Sequence, residues 1–251
     1  MIHILWGILS QLRGAFSHKV TFMWFCCLVV GVCAGRDPIG GVSGIVRNLG
    51  VAEIAYYSLL RVFCSGAVDH AMLSQRWLSL ALELFDTRLL SIADRRIFII
   101  DATKVAKTWR KMPGIQGMKD TVNDGWMSGH YFEALTVVAR GVLSFFPIPV
   151  ATTLIHGKTE EGPNLVERCL TFIQKYPQLQ DALLVGDAWY SKSKLIIELA
   201  KTHTLAMVTR VAKNVVAYEI HVKSPFELVK RGRKKKYGRK IKLMDLFSGE
   251  L

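Results

Sequence analysis

The chain has 251 residues, 51% of them hydrophobic, and a formal net charge of +13. That length holds one large domain or two small ones, and so apolar a composition excludes wholesale disorder. Nine basic residues and no acidic one fall in KRGRKKKYGRKIK, Lys230 to Lys242, leaving 24 basic against 20 acidic elsewhere; such a stretch on a modestly basic body fits a polyphosphate partner, above all nucleic acid.

In chain order, the first marked apolar run is FMWFCCLVVGVCA, Phe22 to Ala34. Its 13 residues fall short of the ~20 that span a bilayer. Arg13 and Lys19 upstream and a small residue at its end imitate a signal-peptide core. The mildly apolar MIHILWGIL before it, and the lack of a secreted-type cysteine pattern, favour a buried helix. The five cysteines are Cys26, Cys27, Cys33, Cys64 and Cys169, with no CxxC pair. Four have apolar neighbours, so they read as reduced core residues of a cytoplasmic protein without zinc.

VAEIAYYSLLRVFCSG places Ile54, Tyr57, Leu60 and Arg61 at helical spacing and stops at Gly66. In DHAMLSQRWLSLALELF, Asp69 is the expected N-cap, with Leu73, Trp77, Leu80, Ala81 and Leu84 on one face. Residues 1–92 are thus expected to form a helical region that buries these aromatics.

After Arg95 the pattern changes. RIFIIDATKV reads as a strand, as do YFEALTVVARG (Tyr131 to Gly141) and PIPVATTLIHG (Pro147 to Gly157). The last two suit an antiparallel pair. GPNLVERCLTFIQKY is a helix opened by Pro163 and Asn164, with Leu165, Val166, Cys169, Leu170 and Ile173 as its apolar set. ALLVGDAW is a strand. SKSKLIIELAKTH is a helix with Ser191 as N-cap and Leu195, Ile196, Leu199 and Ala200 inward; LAMVTRV is a last strand. The order β-β-β-α-β-α-β predicts a mixed sheet with flanking helices. It is the ribonuclease H-like arrangement, in which the first and fourth strands are neighbours.

Asp101 and Asp187 end the apolar cores of those two strands. An aspartate after an apolar strand also serves as a cap or turn residue. A pair brought to one site repels, and burying it unpaired costs several kcal/mol. A divalent cation removes that cost: Mg²⁺ takes oxygen ligands from few protein carboxylates and keeps positions for water and phosphate oxygens. Two such ions about 3.5–4 Å apart can serve phosphoryl transfer.

The stretches IIDATKVAKTWRKMPGIQGMKD, SGHYFEALTVVARG, LLVGDAWYSKSKLIIELAKTHTLAMVTRVAKNVVAYE and KRGRKKKYGRKIKLMDLF resemble bacterial insertion-sequence transposases of the DDE superfamily, the retroviral-integrase-like group. The likeness covers residues 20–250, and the third stretch is its most specific part. It implies Asp101 and Asp187 as the first two members of a catalytic acidic triad, holding two Mg²⁺ or Mn²⁺ ions in the complete enzyme. It also implies DNA partners, namely element ends and target DNA, and a homodimer when complete. Residues 1–92 would help bind element ends, residues 93–214 would be the ribonuclease H-like core, and residues 215–251 would begin an inserted β-rich region.

The third acid of that family is a glutamate on a later helix. Glu198 comes too early, Glu219 and Glu227 fall where the insertion would begin, and Glu250 stands beside the end at Leu251. The third ligand therefore stays unassigned, and the expectation is a C-terminally truncated fragment with little or no cleavage activity. The alternative is a non-catalytic DNA-binding remnant or a regulator of transposition.

Expected DNA contacts are Lys104, Lys107, Arg110 and Lys111 beside Asp101, and Lys230, Arg231, Arg233, Lys234, Lys235, Lys236, Arg239 and Lys240 in the basic run. Gly232 and Gly238 argue against a helix there, and Tyr237 offers a stacking surface. His130 reads as structural, and the absence of GxxxxGK[ST] removes any sign of an ATP site. A different metal phosphohydrolase would need a second carboxylate near Asp101, for which Asp94 is the sole nearby candidate.

Overall fold

The computed structural model of the protein describes residues 2–35, 41–107, 112–120, 123–155, 163–202, 206–211, 215–220 and 237–242. Five α-helices come first: α1 (Ile2–Gln11), α2 (Lys19–Ala34), α3 (Val42–Leu49), α4 (Ala55–Cys64) and α5 (His70–Leu84). Apolar side chains make two small cores among them. Leu9, Phe16, Phe22, Cys26 and Val68 form one; Leu28, Ile45, Val46, Leu59 and Val62 form the other. The run from Phe22 lies within α2 and buries Phe22, Cys26 and Leu28. No described helix is long and apolar enough to cross a membrane.

Two expectations for this region need correction. In α4 the buried stripe is Ala55, Leu59 and Val62, whereas Ile54, Tyr57 and Leu60 face outward. The helix is turned because Leu59 and β-branched Val62 pack against α2 and α3, leaving a tyrosine whose polar tip suits water. Of the five free cysteines, Cys26 and Cys169 are buried, Cys27 is half-buried, and Cys33 and Cys64 are exposed.

Helix α5 starts where the sequence places it: the Asp69 carboxylate accepts from Met72 N–H at 2.9 Å. Leu78, Ala81 and Leu82 then join the core of the sheet, while the expected inward Leu84 is half exposed at the helix end. Trp77 Nε1 donates to Pro149 O at 2.8 Å, tying the helix to the sheet.

The sheet is built from β1 (Ser91–Ile92), β2 (Arg95–Ala106), β3 (Gln116–Asp120), β4 (Gly125–Arg140), β5 (Phe145–Ile155), β6 (Leu183–Gly186) and β7 (Ala206–Thr209). Its main path runs β5-β4-β2-β6-β7. β4 is antiparallel to both β5 and β2, whereas β2, β6 and β7 run parallel. With α6 (Leu165–Gln174) before β6 and α7 (Ser193–Thr202) after it, this is a ribonuclease H-like mixed α/β sheet. Two features go beyond the expected order. β4 begins six residues before Tyr131, and its first part pairs with β3 to make a hairpin. QGMKD carries one apolar residue in five and so shows no strand signal of its own.

The pleat sorts the side chains. Phe98, Ile100, Leu135, Val137 and Leu184 share one face and are at most 1% exposed. Side chains from α5, α6 and α7 close over them. On the opposite face Ile99, Thr136 and Val185 are half-buried and Val208 is exposed. Helix α6 opens with a capping box: Asn164 Oδ1 accepts from Glu167 N–H, and Glu167 Oε2 accepts from Asn164 N–H. In α7, Leu195 and Leu199 are buried, but Ile196 and Ala200 face solvent. Ser191 does not cap α7; its hydroxyl donates to Ala188 O and closes the turn before the helix.

Glu133 is the one fully buried acid among the described residues, 1% exposed on the helix-covered face of β4. Tyr190 OH donates to its Oε1 at 3.2 Å, while Oε2 has no hydrogen-bond partner among the described residues. Burial raises the Glu133 pKa, opposed by hydrogen bonds from Cys169 and Tyr190. Burial first, and then Glu133 whenever it is ionised, push the Cys169 thiol and the Tyr190 phenol up, so both stay neutral. The folded protein thus favours the protonated carboxyl.

The second, smaller sheet pairs β8 (Val216–Ile220) with β9 (Tyr237–Lys242), antiparallel. Two predictions follow from the core. Phe98→Ala should lower unfolding free energy by about 3–5 kcal/mol, read by denaturant melts, whereas Val142→Ala, at a site 97% exposed, should change it by about 0.5 kcal/mol or less. Because folded Glu133 holds its proton when the unfolded chain has released it, wild-type stability should fall as pH rises above the ordinary value of 4.5. Glu133→Gln should remove that part of the slope in melts run from pH 4.5 upward.

Candidate functional site

The register sets the site. Ile97, Phe98, Ile99 and Ile100 of β2 lie beside Leu183, Leu184, Val185 and Gly186 of β6. The next position on each strand is an aspartate, so Asp101 and Asp187 leave the paired region as parallel neighbours. β6 ends there, whereas β2 continues to Ala106 paired with β4 alone. This opens a crevice outside the carboxyl ends of parallel strands, a common location for ligands in α/β sheets. It is a cleft of ≈ 670 Å³ whose walls include Asp101, Lys104, Asp120, Tyr131, Asp187 and Trp189.

Both carboxylates are exposed and already locally tied. Asp101 Oδ1 accepts from Ala102 N–H at 2.8 Å, and Asp187 Oδ1 accepts from Trp189 N–H at 2.9 Å. Asp187 is therefore a cap for the short 3₁₀ turn Ala188–Ser191 as well as a cleft residue. From the other side, Thr209 Oγ1 of β7 donates to Asp187 O. Neither Oδ2 has a hydrogen-bond partner among the described residues, which leaves each free to face a cation. Among the described residues there is no group of three or more His, Cys, Asp or Glu side chains able to hold a metal ion.

Two residues absent from the expected set stand at the cleft. Asp120 closes its wall at the end of β3 and accepts twice from Asn123, from N–H at 3.2 Å and from Nδ2 at 2.8 Å. Tyr131, half-buried, has its phenol pKa raised, first by burial and then by the charges of Glu133, Asp187 and Asp101. Its hydroxyl stays neutral. Strand alternation alone places Tyr131 with Glu133 and Leu135 on the helix-covered face; it reaches the cleft because its register partner Lys104 lies beyond the last β2–β6 pair.

The expected basic contacts divide. Lys104 lines the cleft and donates from Nζ to Lys119 O at 2.8 Å. Lys107 is half-buried just beyond β2, with its N–H on Ser128 O, and is not a cleft residue. Arg239 and Lys240 lie exposed on β9, so this part of the basic run is strand. Tyr237 is 54% exposed, its ring centroid 5.2 Å from that of Tyr218. Arg110, Lys111, Lys230, Arg231, Arg233, Lys234, Lys235 and Lys236 lie outside the described residues.

The remaining acids and His130 fall as follows. Glu198 pairs with Lys201 on α7 at 3.0 Å, and Glu219 is exposed on β8. Glu227 and Glu250 lie outside the described residues. Asp94 sits in the two-residue turn between β1 and β2, where it and Ala93 both have positive φ (60° and 49°). It precedes β2, seven residues of extended chain before Asp101, and cannot share a site with it. His130 is buried with Nε2 on Pro113 O at 2.9 Å, a structural role.

No protein-family model matches the chain, and no curated protein matches it in sequence. Among solved structures it is similar to a piggyBac transposase, seen by cryo-EM in a synaptic complex with hairpin DNA. The identity is 12% and the TM-score 0.42, over 79% of this chain and 43% of that one. The chain thus spans less than half the length of that transposase. It is the strand order, and not this likeness, that identifies the fold.

Proposed function

We propose that the chain is a DNA-processing protein of the DDE transposase type, whose Asp101 and Asp187 hold divalent metal for phosphodiester hydrolysis and strand transfer. The carrying observation is the register: two aspartates follow directly on paired parallel strands and line one cleft. The donor set fits Mg²⁺ or Mn²⁺, which are hard cations taking carboxylate oxygen and tolerating few protein ligands. When bound, such ions activate the attacking oxygen and stabilise the leaving one.

What the chain's own residues do is narrower. The backbone N–H groups of Ala102 and Trp189 each hold one carboxylate oxygen, fixing the orientation of the other. Lys104 brings positive charge to the cleft wall, where a phosphate oxygen would lie. Tyr131 supplies a neutral hydroxyl at the floor. The basic run from Lys230 to Lys242 provides non-specific phosphate contact. A cytoplasmic location and a homodimeric complete protein belong to the same reading.

A second reading is DNA binding without turnover. It is favoured by the lack of any three-ligand metal group among the described residues. A loosely anchored ion loses the positioning on which phosphoryl transfer depends, so cleavage should be weak.

Titration with Mn²⁺ should show binding that Asp101→Asn or Asp187→Asn weakens by about tenfold, roughly 1.4 kcal/mol. Equal affinity in wild type and both variants would overturn the metal assignment. In plasmid-nicking assays with Mn²⁺ the wild type should be slow and Asp187→Ala inactive; robust turnover lost in Asp187→Ala would remove the second reading.

Duplex binding should weaken steeply with salt, each neutralised phosphate adding roughly 0.9 to the log–log slope. Deleting residues 230–242 should flatten that slope, measured by fluorescence anisotropy across a salt series. An unchanged slope would mean that the run makes no phosphate contact.

A further inference from the structure

A buried carboxyl lies beside the site, on the helix-covered face of the sheet. Ala102, next to Asp101, is the register partner of Glu133, whose side chain therefore projects to the helix-covered face while Asp101 projects to the other. Glu133 is 1% exposed and Tyr190 2% exposed, and their 3.2 Å hydrogen bond crosses from β4 to the turn that follows β6. A glutamate is a costly choice for a position between Leu135 and Tyr131 on a buried face. Packing alone does not require it, since an apolar side chain of similar volume would fill the same space.

The partner explains the choice. Tyr190 is the third residue after Asp187 and closes its turn, with Tyr190 N–H on Asp187 O at 3.1 Å. Its ring lies against the strand just before Asp187: a Cβ on Gly186 would come within 2.9 Å of Tyr190 Cδ2. Leu195 and Leu199 of α7 complete the enclosure. Ring packing alone fixes the height of the turn above the sheet. The phenol oxygen adds a directional constraint, because only one placement reaches the Glu133 carboxyl.

We propose that Glu133 is a positioning residue for Asp187: by accepting from Tyr190 it locks the Ala188–Ser191 turn and so fixes the Asp187 carboxylate beside Asp101. The assignment rests on the two-carboxylate reading for its purpose and on the geometry of the turn for its existence. Glu133 does not touch the cleft, so it acts through Tyr190 and the backbone. Thr209 holds the same turn from the β7 side, so Asp187 is gripped from both neighbouring elements.

Tyr190→Phe removes the hydroxyl and keeps the ring; Glu133→Gln keeps the acceptor. Hydrogen exchange of the full chain, followed by mass spectrometry, reads the turn directly. Tyr190→Phe should speed exchange of the residue 188–191 amides by about tenfold, with residues 95–100 and 131–139 unchanged. Glu133→Gln should retain wild-type protection, and Glu133→Ala should behave as Tyr190→Phe where it folds. Mn²⁺ affinity should fall about tenfold in Tyr190→Phe and hold in Glu133→Gln. Exchange in Tyr190→Phe that matches wild type, or that rises equally across the sheet, overturns the proposal. Wild-type protein that binds no Mn²⁺ while Tyr190→Phe still loosens the turn sinks the two-carboxylate reading and sustains the anchor.

Discussion

The parallel pairing of β2 with β6 is the constraint on which the rest depends. Four register pairs run from Ile97 with Leu183 to Ile100 with Gly186, and alternate ones bury Phe98, Leu184 and Ile100 on the helix-covered face. A slip by one residue would turn Phe98 and Ile100 to the wrong face and separate the two aspartates at the same time. The hydrophobic effect thus sets the address of the charges. The same residues that make the core impermeable to water determine that Asp101 and Asp187 emerge side by side where β6 stops.

Charge is kept at the rim and neutrality beneath it. Asp101 and Asp187 are exposed and capped by local N–H groups. Glu133, on the reverse face, is favoured in its protonated form by burial, with the neutral Tyr190 and Cys169 around it. Were Glu133 ionised, its field would oppose a second negative group nearby in a low-dielectric setting.

Much of this was legible in the sequence. The alternation in RIFIIDATKV, the capping pattern at Asn164 and the N-cap at Asp69 each follow a local rule that the tertiary structure leaves intact. The juxtaposition of the two aspartates was legible only through the strand order. What stayed hidden has physical causes. The β3–β4 hairpin is held by backbone pairing with little apolar pattern, and Trp126 at its tip is 82% exposed. α4 offers two apolar sets at helical spacing, and its neighbours select Ala55, Leu59 and Val62. Glu133 was masked by its own chemistry, since a glutamate in a strand reads as outward; the buried residues on either side of it at a spacing of two were the available clue.

The order of the strands also has a consequence in time. β4 and β5 are joined by a short turn and β2 reaches β4 through β3, whereas β6 reaches β2 only across the length of chain that includes β3 to β5 and α6. Non-local parallel pairing of this kind closes late. A chain in which β6 has not yet paired has no second carboxylate beside Asp101. Whatever the rim recruits, it is assembled by the same event that seals the core. The site is thereby coupled to completion of the sheet, and partly folded intermediates lack it.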